Sequence, residues 1–193
     1  MENNSNRPEP LSYRVNLPYP KVEITKPDRR YAILISDGYA GRGSELTAIA
    51  QYTAHRFFLE KYPKIHAAYL GISQVEMIHL DLLGRLIRDL GMNPFFVSCV
   101  SNQYWSGSFP DYHCDLIPIL KADIKGEKDA IAHYKMMIGR IDNDSIDSLF
   151  RRIILDEERH IEILSGFLGE LEPPGNAAHK KGNEPAAQPK ASP

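Results

Sequence analysis

Cysteine is scarce in this chain: two residues, Cys99 and Cys114, out of 193. They form no CxxC, so neither a rubredoxin-type nor a zinc-ribbon site can be built from them, and two thiols are too few for a disulfide scaffold. A reducing, cytoplasmic compartment is expected. An excess of one charge is also missing. The 23 Lys and Arg stand against 25 Asp and Glu, for a formal charge of -2, which leaves no basic surplus to neutralise a phosphate backbone. Nucleic acid is therefore not an expected partner. No apolar run approaches the roughly 20 residues of a membrane span, and the Asn- and Pro-rich first residues contain no signal-peptide core, so no membrane association is expected.

Proline is nearly absent from the middle of the chain. Of 14 prolines, five fall in residues 1–30 and five in 172–193, leaving Pro63, Pro94, Pro110 and Pro118 between them. Residues 1–30 read as an extended arm. Residues 172–193 are mostly Pro, Ala, Gly, Lys and Asn with little to bury, so they cannot offset their ordering entropy; they are expected to be a disordered tail rather than a fifth packed helix.

What remains, residues 31–171, carries apolar residues at the 3.6-residue period. The clearest stripe is Ile146, Phe150, Ile153, Glu157, His160, Leu164, Phe167 and Leu171. A second runs Ile72, Glu76, His79, Leu83, Leu86, Leu90, and a third Leu120, Ile124, Glu127, Ile131, Tyr134, Ile138, Ile141. The first segment is less regular, with Glu45, Ile49 and Tyr52 on one face and Leu59 beyond; Gly38, Gly41 and Gly43 weaken its start. Tyr62-Pro63 and Asp142-Asn143-Asp144 are short breaks, which make neighbouring helices antiparallel. Residues 92–114 are long enough to cross the length of a bundle. The predicted fold is all-α: two antiparallel helical hairpins joined by a long crossover between helices 2 and 3.

Each stripe places an acid or imidazole where a bundle core normally holds Leu or Ile. Burying an ionised carboxylate is strongly unfavourable unless it is paired or bound to a cation, so four inward-facing glutamates call for a common explanation, and a metal pair supplies one. The pattern repeats internally. Glu45 precedes the Glu76-x-x-His79 motif by 31 residues, and Glu127 precedes Glu157-x-x-His160 by 30. Positions i and i+3 project from one helix face, so the Glu and His of each motif can reach one ion. Tyr52 and Tyr134 each follow the upstream glutamate by seven residues, two turns along the same face.

On these residues the chain resembles the ferritin-like family of di-iron and di-manganese carboxylate proteins, which includes bacterioferritins, rubrerythrins and manganese catalases. Residues 153–161, IILDEERHI, are similar to the fourth helix of bacterioferritins, and residues 75–79, VEMIH, to their second. The resemblance spans roughly residues 31–171 and implies a ferritin-like four-helix bundle. It also implies Glu45 and Glu127 as terminal ligands, Glu76 and Glu157 as bridging ligands, and His79 and His160 as one imidazole per metal. Tyr52 and Tyr134 match second-sphere tyrosines. Asp156 matches an acid that orients the histidine of the opposite hairpin, whereas Val75 replaces that acid in helix 2.

Four carboxylates balance two divalent ions, and hard oxygen donors with two imidazoles suit Fe(II) or Mn(II). Six protein residues leave coordination positions open, so the expected activity is a redox reaction on H2O2 or O2. Peroxidase chemistry would need an external electron donor, because no cysteine set supplies one; catalase-type disproportionation would not. A ferroxidase handling Fe(II) and a metal-stabilised structural or coat component are the alternatives. Met77 matches the haem-binding methionine of bacterioferritins but is read as packing, and no haem is expected. His55, His66, His113, His133 and His179 have no partner spacing and read as solvated or internally satisfied; Cys99 and Cys114 read as loop thiols. Tyr104, Trp105, Phe109 and Tyr112 of the crossover are expected to cover the bundle or a subunit contact, and a homodimer is expected.

Overall fold

In the computed structural model, which describes residues 13–171, the first helix begins at a capping acid. The Asp28 carboxylate accepts the Arg30 N–H at 2.9 Å and opens α1 (Arg29–Ala40). Residues 13–28 before it have neither helix nor strand. α1 stops at Gly41, whose N–H reaches the Asp37 carbonyl at 2.8 Å. A Cβ at Gly41 would stand 2.5 Å from that same oxygen, so the turn requires glycine. Ser44 then caps α2 (Glu45–Arg56), its hydroxyl accepting the Thr47 N–H at 3.3 Å. The first segment is thus two short helices where sequence periodicity suggests one, and the break sets Glu45 at the first position of α2.

α3 (Pro63–Asp89) starts on a proline, which has no N–H to leave unpaired in the first turn. α4 (Leu116–Ile138) and α5 (Asp144–Leu171) complete the bundle. Asn143 caps α5: its side-chain oxygen accepts the N–H groups of Ser145 and Ile146, each at 3.0 Å. α2 packs on α3 and α4 on α5, giving two antiparallel hairpins joined by the crossover.

That crossover is not wholly irregular. β1 (Val97–Ser98) pairs antiparallel with β2 (Gln103–Tyr104), and the turn places Asn102 at φ 52°. The Ser98 hydroxyl donates to Asp37 at 2.6 Å, the Cys99 N–H to Ser36 at 2.8 Å, and the Trp105 indole to Thr47 at 3.0 Å. Phe109 is buried and Trp105 half-buried, so these two cover the bundle as expected. Tyr104 and Tyr112, 73% and 57% exposed, do not.

The core divides into two apolar clusters. One gathers Ile35, Leu83, Leu86, Tyr134, Phe150 and Ile153; the other gathers Tyr52, Leu59, Tyr69, Ile72, Leu120 and Leu164. Along α3, Glu76 and His79 lie between Ile72 of one cluster and Leu83 of the other; along α5, Glu157 and His160 lie between Ile153 and Leu164. A polar layer is therefore held between two apolar ones. Among the described residues no helix is long and apolar enough to cross a membrane. The expected tail, 172–193, and the start of the arm, 1–12, lie outside the described residues.

Candidate metal centre

A spacing of three along a helix sets two side chains on one face. α3 accordingly presents Glu76 with His79, and α5 presents Glu157 with His160, while α2 supplies Glu45 and α4 supplies Glu127. All six are buried, none more than 4% exposed. They converge as two groups, Glu45, Glu76, His79 and Glu157, and Glu76, Glu127, Glu157 and His160; within each group the ligand atoms lie within 4.8 Å of one another. Glu76 and Glu157 belong to both.

His79 Nδ1 lies 3.0 Å from Glu76 Oε2, 3.2 Å from Glu157 Oε1 and 3.6 Å from Glu45 Oε2. His160 Nδ1 lies 2.9 Å from Glu76 Oε1, 3.1 Å from Glu157 Oε2 and 3.5 Å from Glu127 Oε1. One nitrogen cannot satisfy three carboxylates. Glu76 Oε1 and Glu157 Oε1 are buried with an imidazole nitrogen nearby but no donor aimed at them. Burial and the Glu76 charge push the Glu45 carboxyl up to about 7. Burial and the charges of Glu76 and Glu157 raise Glu127 well above the usual carboxylate range. Burial opposes protonation of His79 and His160, yet Glu157 beside the first and Glu76 beside the second hold both well above the usual imidazole range. Without cations the two imidazolium charges offset only Glu76 and Glu157, and Glu45 and Glu127 are driven toward their neutral, protonated form. Two divalent cations balance all four while both imidazoles stay neutral, and the carboxylate–imidazole donor set fits Fe(II) or Mn(II).

The tyrosines cross between hairpins. Tyr134 on α4 donates its hydroxyl to Glu45 on α2, and Tyr52 on α2 donates to Glu127 on α4. Burial and the neighbouring carboxylate raise both phenols, which keeps them donors. Asp156 Oδ2 lies 3.2 Å from His79 Nε2, an imidazole of the opposite hairpin. Burial would raise this acid, but hydrogen bonds from His79, Arg152 and Tyr19 hold it well below the usual range. Among the described residues, no partner meets the buried Nε2 of His160.

Several polar residues escape the sequence reading. Tyr19 and the Val15 N–H come from the arm, and Arg152 lies one turn before Asp156 on α5. A second buried network centres on Asp123. His55 Nδ1 lies 2.9 Å from its Oδ2, while Tyr69 and Gln51 donate to it at 2.7 Å each. His55 is thus internally satisfied on this side, and its Nε2 lies 3.4 Å from Asp111 of the crossover. A signal existed: Asp123 precedes Glu127 by four residues and His55 follows Tyr52 by three, so each shares a face with a residue of the centre. His113 bonds to Asp111 at the surface, His66 is half-buried, and burial lowers His133. Met77 is 57% exposed, Cys99 is a half-buried and Cys114 an exposed free thiol, and His179 lies outside the described residues.

The rubrerythrin family model matches residues 118–193, which include almost all of α4 and the whole of α5. A probable manganese catalase of Clostridium acetobutylicum is 20% identical, over 81% of this chain and 78% of that protein. The crystal structure of KatB, a manganese catalase from Anabaena, superposes with a TM-score of 0.77 at 22% identity, covering 89% of this chain and 85% of that one. A Rhodobacter capsulatus bacterioferritin with a metal-free dinuclear site gives a TM-score of 0.62 at 24% identity over 78% of this chain and 92% of that one.

Proposed function

Taking the chain as a ferritin-like protein of the di-metal carboxylate family, we propose that Glu45, Glu76, His79, Glu127, Glu157 and His160 hold two manganese or iron ions and that the protein disproportionates H2O2. The observation that carries this reading is the pair of buried carboxylate–imidazole groups sharing Glu76 and Glu157. The likeness to manganese catalases supports the choice of substrate. When bound, a pair of redox-active ions supplies a two-electron change. One peroxide is oxidised to O2 and a second is reduced to two waters, so the reaction balances without an external reductant. The chain's own residues then have distinct tasks. Glu76 and Glu157 span both positions. Tyr134 and Tyr52 orient Glu45 and Glu127, and Asp156 anchors His79 with its Nδ1 toward the centre. The two apolar clusters keep bulk water from either end of the layer.

Oxygen evolution from H2O2 without added reductant, by protein reconstituted with Mn(II) or with Fe(II), tests the reading. We expect release of one O2 for every two peroxides, lost in Glu76→Gln and in Glu157→Gln. Fe(II) oxidation by O2 with no peroxide turnover would replace it with a ferroxidase. Bound ions without either activity would leave a metal-stabilised structural bundle.

A further inference from the structure

The internal repeat makes the two halves of the centre comparable residue by residue, and their outer surroundings differ. On α5, Asp156 directly precedes Glu157, with Arg152 one turn earlier. On α3 the corresponding positions before Glu76 hold Val75 and Gly71. The first pair is built into a cradle. Asp156 Oδ1 accepts the Val15 N–H at 2.7 Å and meets Arg152 Nη1 at 2.8 Å; Oδ2 accepts the Tyr19 hydroxyl at 2.7 Å and faces His79 Nε2 at 3.2 Å. Arg152 in turn donates to the Val15 and Leu17 carbonyls at 2.6 and 2.9 Å, and its guanidinium lies 4.5 Å from the centre of the Tyr19 ring. Tyr19 also meets the His79 ring edge-on. The second pair offers no counterpart. Val75 is fully buried and apolar, and the space a side chain at Gly71 would fill is taken by the Tyr13 ring, since a Cβ there would lie 2.0 Å from Tyr13 Cδ2. His160, itself 0% exposed, has an Nε2 with no partner among the described residues.

We infer that the two metal positions are inequivalent: the one formed by Glu45, Glu76, Glu157 and His79 binds tightly, and the one formed by Glu76, Glu127, Glu157 and His160 binds weakly and exchanges. The inference rests on the di-metal reading above. Its physical basis is the proton on the far imidazole nitrogen. A carboxylate that accepts the Nε2–H fixes the tautomer with the Nδ1 lone pair facing the metal and makes that nitrogen a stronger donor; loss of such a partner lowers metal affinity by about 10- to 100-fold. His79 has that partner. For His160, placing the proton on Nε2 strands a buried donor, so the competing tautomer carries its proton on Nδ1, where the metal would bind. The arm residues Val15 and Tyr19 make the tight position depend on a segment outside the helices, so Asp156, Tyr19 and Arg152 are positioning residues for one ion only.

Calorimetric titration of Mn(II) into the metal-free full-length protein tests this directly. The wild type should bind in two steps whose dissociation constants differ by at least about 10-fold. Electron paramagnetic resonance at one equivalent should show isolated Mn(II), with a spin-coupled pair appearing only as the second equivalent is added. Asp156→Asn should weaken the tighter step by about 10- to 100-fold and leave the weaker one in place, and Val75→Asp should tighten the weaker step toward the other. Two indistinguishable steps in the wild type, or an Asp156→Asn protein that keeps its tight step, would overturn the inequivalence while leaving the di-metal reading intact. Absence of any Mn(II) binding to the wild type would refute that reading and the inequivalence with it. The wild-type and Asp156→Asn titrations decide the matter even if Val75→Asp does not fold.

Discussion

At the scale of single residues, the centre separates shared from private carboxylates. Glu76 and Glu157 stand in both groups, whereas Glu45 faces only the His79 side and Glu127 only the His160 side. Glu45→Gln and Glu127→Gln should therefore each reduce the metal bound in excess Mn(II) from two ions per chain to one, while Glu157→Gln removes both; on dialysis into metal-free buffer the ion left in Glu127→Gln should stay and that left in Glu45→Gln should be lost, as elemental analysis reads. An unchanged ion count in Glu45→Gln would remove that residue from the centre. These positions are legible in the chain because each breaks an apolar stripe, and because the Glu…Glu-x-x-His unit repeats at nearly equal spacing. Tyr52 and Tyr134 are legible for the same reason, each a fixed offset from a glutamate, whereas Asp156, whose counterpart in the other half is Val75, is given only by the family resemblance. Tyr19 and Val15 are not legible: they reach Asp156 from 137 and 141 residues away, through an irregular arm that has no period to read.

At the scale of elements, the long helices α3, α4 and α5 are read correctly from periodicity, while Gly38, Gly41 and Gly43 leave the start of the first segment open. The close approach of Gly41 to Asp37 and the cap at Ser44 break the backbone there. The crossover is fastened by polar contacts whose partners lie on other elements. His55 on α2 lies between Asp123 on α4 and Asp111 in the crossover, and Gln51 accepts the Asp111 N–H at 2.6 Å. Burial opposes a charge on His55, but the two carboxylates prevail and raise it above the usual imidazole value of about 6.5. A group held protonated by folding stabilises the native state fully below its unfolded pKa, and that contribution is lost as pH rises through the folded one. Thermal melts of the wild type and His55→Gln should thus differ most in mildly acidic buffer and converge as the pH is raised above the usual imidazole value. A difference that grows with pH would contradict this clamp.

At the scale of the whole molecule, the fold places a layer of four acids and two imidazoles between two apolar clusters, where all four acids can be ionised together only if cations join them. The near-neutral formal charge of the chain conceals this, because nothing in a total shows which glutamates face inward. Periodicity restores that information, and the two hairpins joined by a crossover follow from four amphipathic segments and one long connection. Peroxide turnover, private and shared carboxylates and the inequivalence of the two positions all depend on a pair of ions being held there. The most direct test is elemental analysis of the wild-type protein, reconstituted with Mn(II) or Fe(II) and freed of loose metal. At least one ion per chain is expected to stay bound, with a second held while Mn(II) or Fe(II) is in excess; a chain that retains none while folded as a helical bundle would contradict the di-metal centre.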